Sequence, residues 1–282
     1  MSRRRSPISS RAGQGVAYVL MVLIMAYSLL PAAWMLLIAL KPPSSSMTGR
    51  KVLDLSDLTL ANFSAVNALT PILTNVSNSL FTTIVGTLTT LFFCSLAGFA
   101  FAKIDFPGRE PIFYILIATM LVPPEVAIVP LFRIMTGLSL INSLWALVIP
   151  KMATAVGIFY MRQYISAVPD EVIEAARVDG CGPFRIYLQI VLPMIKAGLA
   201  VWATLTVIAR WNDFFWPLVF LRSEDKYTLV QAISLLPVGE GLSTPWPVIM
   251  AGTAIAVIPP VVGYIIFQRF QRADMTAGAV KG

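Results

Sequence analysis

Four ionisable side chains lie inside otherwise apolar stretches of this 282-residue sequence: Glu125, Lys151, Arg210 and Asp213. Burying such groups unpaired at membrane depth is costly, so each is a candidate for function by default. Arg210 and Asp213 are three apart and could pair on one helix. Asn212 and Trp216 are four apart and could share another face, and Trp211 completes the cluster. An aromatic ring beside amide and charged groups suits a polyhydroxylated solute, because the ring stacks on C–H faces while the polar groups bind hydroxyls. The same cluster could instead brace an interface with another subunit. Lys151 has three readings open to it: it neutralises Glu125, it meets an anionic group in a cavity, or it snorkels to an interface. Covalent chemistry is not indicated. The sequence has no His and only two Cys, Cys94 in an apolar run and Cys181 in a polar loop. Histidine catalysis and histidine metal ligation are therefore excluded, and no disulfide is expected. No nucleophile motif or metal cluster occurs, so neither catalytic residues nor metal ligands are assigned.

A second charged element, PDEVIEAARVDGCGPFRIYLQIVLP, runs from Pro169 to Pro193. Pro169 suits the first turn of a helix, and Asp170, Glu171 and Glu174 suit the positive end of its dipole. Val172, Ile173 and Ala176 can share a face. Gly180 and Gly182 stop the helix and Pro183 blocks its continuation. Phe184, Tyr187, Leu188 and Val191 then recur at helical spacing. A helix of about ten residues is marginal alone in water, so it must pack on the membrane surface or on a soluble partner. Its acidic first half disfavours an anionic lipid surface, where Lys and Arg are the usual polar face.

The elements that position these groups are apolar spans. Hydrophobic residues make up 57% of the chain and charged ones 12%, where soluble domains carry about a quarter charged. Six spans are expected, at about 16–40, 78–102, 112–134, 143–165, 194–220 and 248–270, each near the roughly 20 residues a bilayer requires. The first follows Arg3, Arg4, Arg5 and Arg11 but is too long for a signal h-region, so it is expected to be retained. The net charge of +7 sits between spans and not on a soluble face, which argues against nucleic acid. Thirteen Lys and Arg fall on the side of both termini and six on the other, so both termini are expected to be cytoplasmic. The loops 41–77 and 221–247 are then external, with a short surface helix at 58–66 and a turn-rich segment, PVGEGLSTPWP, from Pro237 to Pro247. No internal repeat or Gly/Ser linker divides the chain. The expected organisation is a cytoplasmic N-terminus (1–15), a first helix with its external loop (16–77), a core (78–270) holding the insert at about 169–191, and a cytoplasmic tail (271–282).

The order EAARVDGCGPFRIYLQIVLP resembles the EAA loop of ABC-importer permeases, matching it at Glu174, Ala175, Ala176, Asp179, Gly180, Ile190, Leu192 and Pro193. Cys181 stands where Ala is commoner. FAKIDFPGRE, RWNDFFWPL and the closing TAGAVKG are likewise similar to sugar-type permeases of the maltose branch. The resemblance implies an all-α membrane protein with six transmembrane helices and the type I importer, MetI-like fold. It implies that the insert is a coupling helix whose Glu174, Ala175, Ala176, Asp179, Gly180 and Gly182 dock on an ATPase subunit. It also implies that the tail residues Ala277, Gly278 and Lys281 contact the ATPases. Gly239, Glu240 and Gly241 would form the tip of a loop that meets an extracytoplasmic binding protein. The implied partners are a second permease subunit, two ATPase subunits, the binding protein and membrane lipid, with no nucleic acid. ATP and Mg would sit on the ATPases and no cofactor on this chain, which lacks a phosphate-loop motif. The expected role is a sugar-import permease in the cell inner membrane. The alternatives are an importer of glycerol phosphates or phosphodiesters, and an ion-coupled transporter using Glu125 or Asp213.

Overall fold

The computed structural model describes residues 11–44, 54, 56–236 and 244–278, with side chains for all of these except 11–12 and 266–278. Every regular element among them is helical. Contacts divide the chain into two units. One is built from residues up to Leu69 with Leu236–Ile255, the other from Thr70–Leu235 and the residues from Ala256 onward.

In the first unit, α1 (Arg11–Ala39) leaves most of its apolar side chains between Val16 and Leu36 exposed. Such a surface suits hydrocarbon and not water. The last carbonyls of a helix have no intrahelical donor. Here Asn62 of α2 (Ala61–Leu69) supplies one, its Nδ2 donating to Ala39 O at 2.7 Å and Lys41 O at 2.6 Å. The short surface helix expected at 58–66 is therefore present, displaced toward 61–69, and it anchors the end of α1.

The second unit is organised on α3 (Ile72–Lys103), which starts before the expected 78 and runs unbroken for 32 residues. Its buried stripe is small and polar, with Ser79, Thr83, Gly86, Thr87, Thr90, Ser95 and Gly98 among its members. Small residues let neighbouring helices approach closely where lipid offers no hydrophobic drive. α7 (Ala155–Ser166) and α11 (Lys196–Trp211) pack on it. At its start, Asn75 and Asn78 donate to the carbonyls of Glu224, Asp225 and Tyr227, ordering the segment before α13 (Leu229–Ser234).

Among the described residues, three helices are long and apolar enough to cross a membrane, or five if each of two bent pairs is one span. The expected continuous spans at 112–134, 143–165 and 194–220 are broken instead. α4 (Arg109–Ala118) and a 3-10 turn give way at Val122–Pro123 to a second arm containing α5 (Ile128–Gly137), with a bend of 95°. The 143–165 run is a short α6 (Trp145–Val148), a 3-10 turn at Ile149–Lys151, and then α7. The third run bends by 81° before α11 and breaks again at 212–214, ahead of α12 (Phe215–Phe220). Proline removes a helical donor and clashes with the preceding turn, and Pro123, Pro124 and Pro150 sit at two of these breaks. α14 (Trp246–Gly278) carries Pro259 and Pro260 without breaking.

Candidate functional site

The insert folds as its local chemistry requires. α8 (Asp170–Val178) has Asp170 and Glu171 in its first turn and Arg177 in its last, both favourable to the helix dipole. It ends in a Schellman arrangement, with Cys181 N–H donating to Ala176 O and Gly180 N–H to Arg177 O, each at 3.0 Å. Gly180 takes φ +81°, a conformation that side chains with Cβ rarely adopt. α9 (Pro183–Ile186), a π-helical turn at Tyr187–Val191 and α10 (Leu192–Met194) follow.

The insert divides its residues between two faces. Ile173, Ala176, Ile186, Tyr187 and Val191 are buried in one core with Phe99, Met161 and Ile165 of α3 and α7. Tyr187 Oη lies 2.8 Å from Ser95 Oγ on α3. Lys103 at the end of α3 donates to Val168 O and pairs with Asp170, both at 2.6 Å, and Arg177 donates to Lys103 O at 2.8 Å. Glu174, Ala175, Asp179, Gly180 and Gly182 remain exposed. Val178 is 88% exposed and Phe184 55% exposed. Of the expected docking residues, Ala176 is thus turned into the chain's own core, while Val178 and Phe184 extend the outward face. Val178 follows Glu174 by four residues, a spacing that places them together on a helix.

A second site forms where three helix breaks meet. Pro124 and Glu125, Pro150 and Lys151, and Trp216 with Phe220 line a cavity of about 550 Å³. Irregular backbone at membrane depth is tolerated where it is buried in protein or lines a cavity, and broken helices are where transporters place solutes. Asp213, just past the end of α11, reaches across to Lys151, with Oδ2 2.5 Å from Nζ. Its other oxygen accepts the Trp216 N–H at 3.2 Å and so satisfies one of the free donors in the first turn of α12. Lys151 Nζ lies 5.4 Å from the centre of the Trp216 ring. A second cavity of about 400 Å³ shares Pro124, Lys151 and Thr154 and adds Thr90, Trp202, Thr206 and Arg210.

Arg210 braces this junction. Its guanidinium donates to Leu147 O at 3.1 Å, Thr90 Oγ1 at 2.8 Å and Lys151 O at 2.9 Å. The carbonyls freed by the α6–α7 break are satisfied in this way. A Cβ on Gly86 would collide with the Arg210 guanidinium, so glycine there opens its path.

The structure therefore brings Glu125, Lys151, Asp213 and Trp216 together and separates the rest of the expected cluster. Asp213 pairs with Lys151, where the i,i+3 spacing pointed to Arg210, because the helix ends at Trp211. Asn212 is exposed and turns back to Ile208 O of its own helix, so it shares no face with Trp216. Trp211 is buried and donates Nε1–H to Ala256 O at 2.9 Å. Thr154 is a lining residue that hydropathy does not single out, although a Thr before an apolar helix after Pro150 is a capping signal. It accepts the Gly157 N–H and starts α7. Gly239, Glu240, Gly241 and Lys281 lie outside the described residues, and Ala277 and Gly278 are known only as the last turn of α14.

Residues 95–276 match the family described as "Binding-protein-dependent transport system inner membrane component". The chain is 33% identical to the arabinooligosaccharides transport system permease protein AraQ of Halalkalibacterium halodurans, over 100% of both chains. It is 37% identical to the sn-glycerol-3-phosphate transport system permease protein UgpE of Shigella flexneri, over 62% of each. Among solved structures it is similar to a chain of a bacterial ABC transporter involved in the import of the acidic polysaccharide alginate. That likeness has a TM-score of 0.81 and 26% identity, and covers 94% of this chain and 99% of that one.

Proposed function

Because the chain belongs to the family of binding-protein-dependent transport system inner membrane components, we propose that it is the six-span permease subunit of an ATP-driven sugar importer. A second permease subunit, two ATPase subunits and an extracytoplasmic binding protein complete the assembly. ATP and Mg are bound and used on the ATPases, and this chain does no covalent chemistry. Both termini face the cytoplasm, as the distribution of Lys and Arg supports.

The observation that carries this reading is the two-faced insert. Its inner face is fixed in the core of α3 and α7, and its outer face presents Glu174, Ala175, Val178 and Asp179 to a soluble partner. When the ATPases close, a docked insert moves α3 and α7 with it, because one packed core joins them. That motion switches the cavity between the two sides of the membrane. The tail at Ala277, Gly278 and Lys281 makes a second ATPase contact, and the loop with Gly239, Glu240 and Gly241 meets the binding protein.

A sugar or sugar derivative fits the cavity better than a glycerol phosphate. A phosphate needs uncommitted cations, whereas Lys151 is paired with Asp213 and the Arg210 guanidinium is engaged by two carbonyls and a hydroxyl. Membership of a binding-protein-dependent transport family supports an ATP-driven mechanism over an ion-coupled one.

Gly182→Trp tests the dock. Gly182 has φ −69°, and a Cβ added there would meet no atom within 4 Å, so the chain folds and the indole projects from the outer face. We expect loss of ATPase co-purification and of import at an unchanged melting temperature. Normal import by this variant would sink the reading. Gly180 is a poorer probe, since its positive φ strains any replacement. For the solute, thermal shift of the cognate binding protein with sugars and with glycerophosphodiesters decides, and stabilisation by phosphodiesters alone overturns the sugar assignment.

A further inference from the structure

The cavity at the three breaks has an unusual charge arrangement. Glu125 and Lys151 are its charged lining residues, set beside the Trp216 and Phe220 rings. Asp213 is not part of the lining, yet its Oδ2 is 2.5 Å from Lys151 Nζ. The ammonium facing the solute is thus paired from behind, which leaves Glu125 as the lining charge with no ion pair among the described residues. Arg210 keeps its positive charge but lines the neighbouring cavity, with its guanidinium turned to Leu147 O, Thr90 Oγ1 and Lys151 O.

We propose that Asp213 is a specificity-determining residue that makes this cavity a subsite for an uncharged saccharide ring and closes it to carboxylated or phosphorylated solutes. The proposal rests on the importer reading above and adds the solute's charge and the residue that sets it. The chemistry is direct. Glu125 accepts hydrogen bonds from hydroxyls, Lys151 donates one through an N–H not used by Asp213, and the aromatic edge offers an apolar wall. An anionic solute would have to compete with Asp213 for Lys151 while facing Glu125, and like-charge juxtaposition is a strong source of discrimination. Without the Asp213 charge, Lys151 becomes the bare cation such a solute seeks.

Asp213→Asn is the informative variant, because it keeps the side-chain oxygen that accepts the Trp216 N–H. The whole transporter complex is purified, and binding of arabinotriose, trigalacturonate and glycerol 3-phosphate is measured by titration. The wild-type complex is expected to prefer arabinotriose by about tenfold or more, and D213N to cut that preference by about tenfold. Lys151→Gln removes the cation paired with Asp213 and is expected to widen the preference. An unchanged preference in D213N overturns the proposal. If D213N does not assemble, K151Q decides by the same criterion: a wider preference supports the proposal and an unchanged one overturns it. If the wild-type complex binds neither saccharide while a saccharide stabilises the binding protein, the subsite fails and the importer reading stands. If no saccharide stabilises the binding protein either, the sugar reading fails and takes the subsite with it.

Discussion

The insert and the cavity both hold charged residues in an apolar chain, and they treat them in opposite ways. In the insert, Ile173, Ala176 and Tyr187 go inward and Glu174 and Asp179 stay in the open. In the cavity, Lys151 and Asp213 satisfy each other and Arg210 satisfies loose carbonyls. An exposed charge beside a buried apolar face leaves bonding capacity for another molecule. A charge paired within the chain has used part of its capacity, and acts on a solute largely through position and field. The first arrangement suits a dock and the second a filter.

Removing one partner of the internal pair is the strongest way to break this contrast. Asp213→Ala leaves Lys151 without its carboxylate, a change that costs about 3–5 kcal/mol for a fully buried pair. Since the Lys151 side chain is 32% exposed, the lower end, about 3 kcal/mol, is expected. Denaturation of the purified complex reads it, and adding Lys151→Met to the same chain should recover most of the loss. A D213A variant as stable as its parent would show that the pair is not internal in the sense argued. At the root of the insert, Tyr187→Phe keeps the ring and removes the hydroxyl 2.8 Å from Ser95 Oγ, for an expected loss of about 1 kcal/mol. At its rim, Asp170→Asn should cost less, below about 1 kcal/mol, because ion pairs with an exposed partner contribute little and the Asp170 side chain is 73% exposed. A rim variant more damaging than the root variant would reverse the inside-to-outside ordering of the insert.

The insert was legible in the sequence because its rules are local. Acidic residues in a first turn, a left-handed glycine and a following proline act within a few positions, and they place α8 and its end. The family was legible for the same reason, from a contiguous run at 174–193. The cavity was legible only in part. Glu125, Lys151, Asp213 and Trp216 stood out as polar or aromatic residues in apolar runs, but their grouping depends on three breaks that hydropathy does not register. A run such as 194–220 stays apolar across the break at 212–214, so it reads as one helix. Once the helix ends at Trp211, the spacing from Arg210 to Asp213 no longer measures a distance. The residue that takes Asp213 is 62 positions away in sequence.

α3 runs through both comparisons as a single piece. Its first turns hold the segment at 224–227 through Asn75 and Asn78, and its last residue, Lys103, holds the insert. Its 32 residues, at about 1.5 Å rise each, make a rod of about 48 Å. With no hinge along its length, it is a lever arm: a tilt of about 5° about one end carries the other through about 4 Å. A small rotation at the insert end would therefore appear at the opposite end as a displacement of several ångströms.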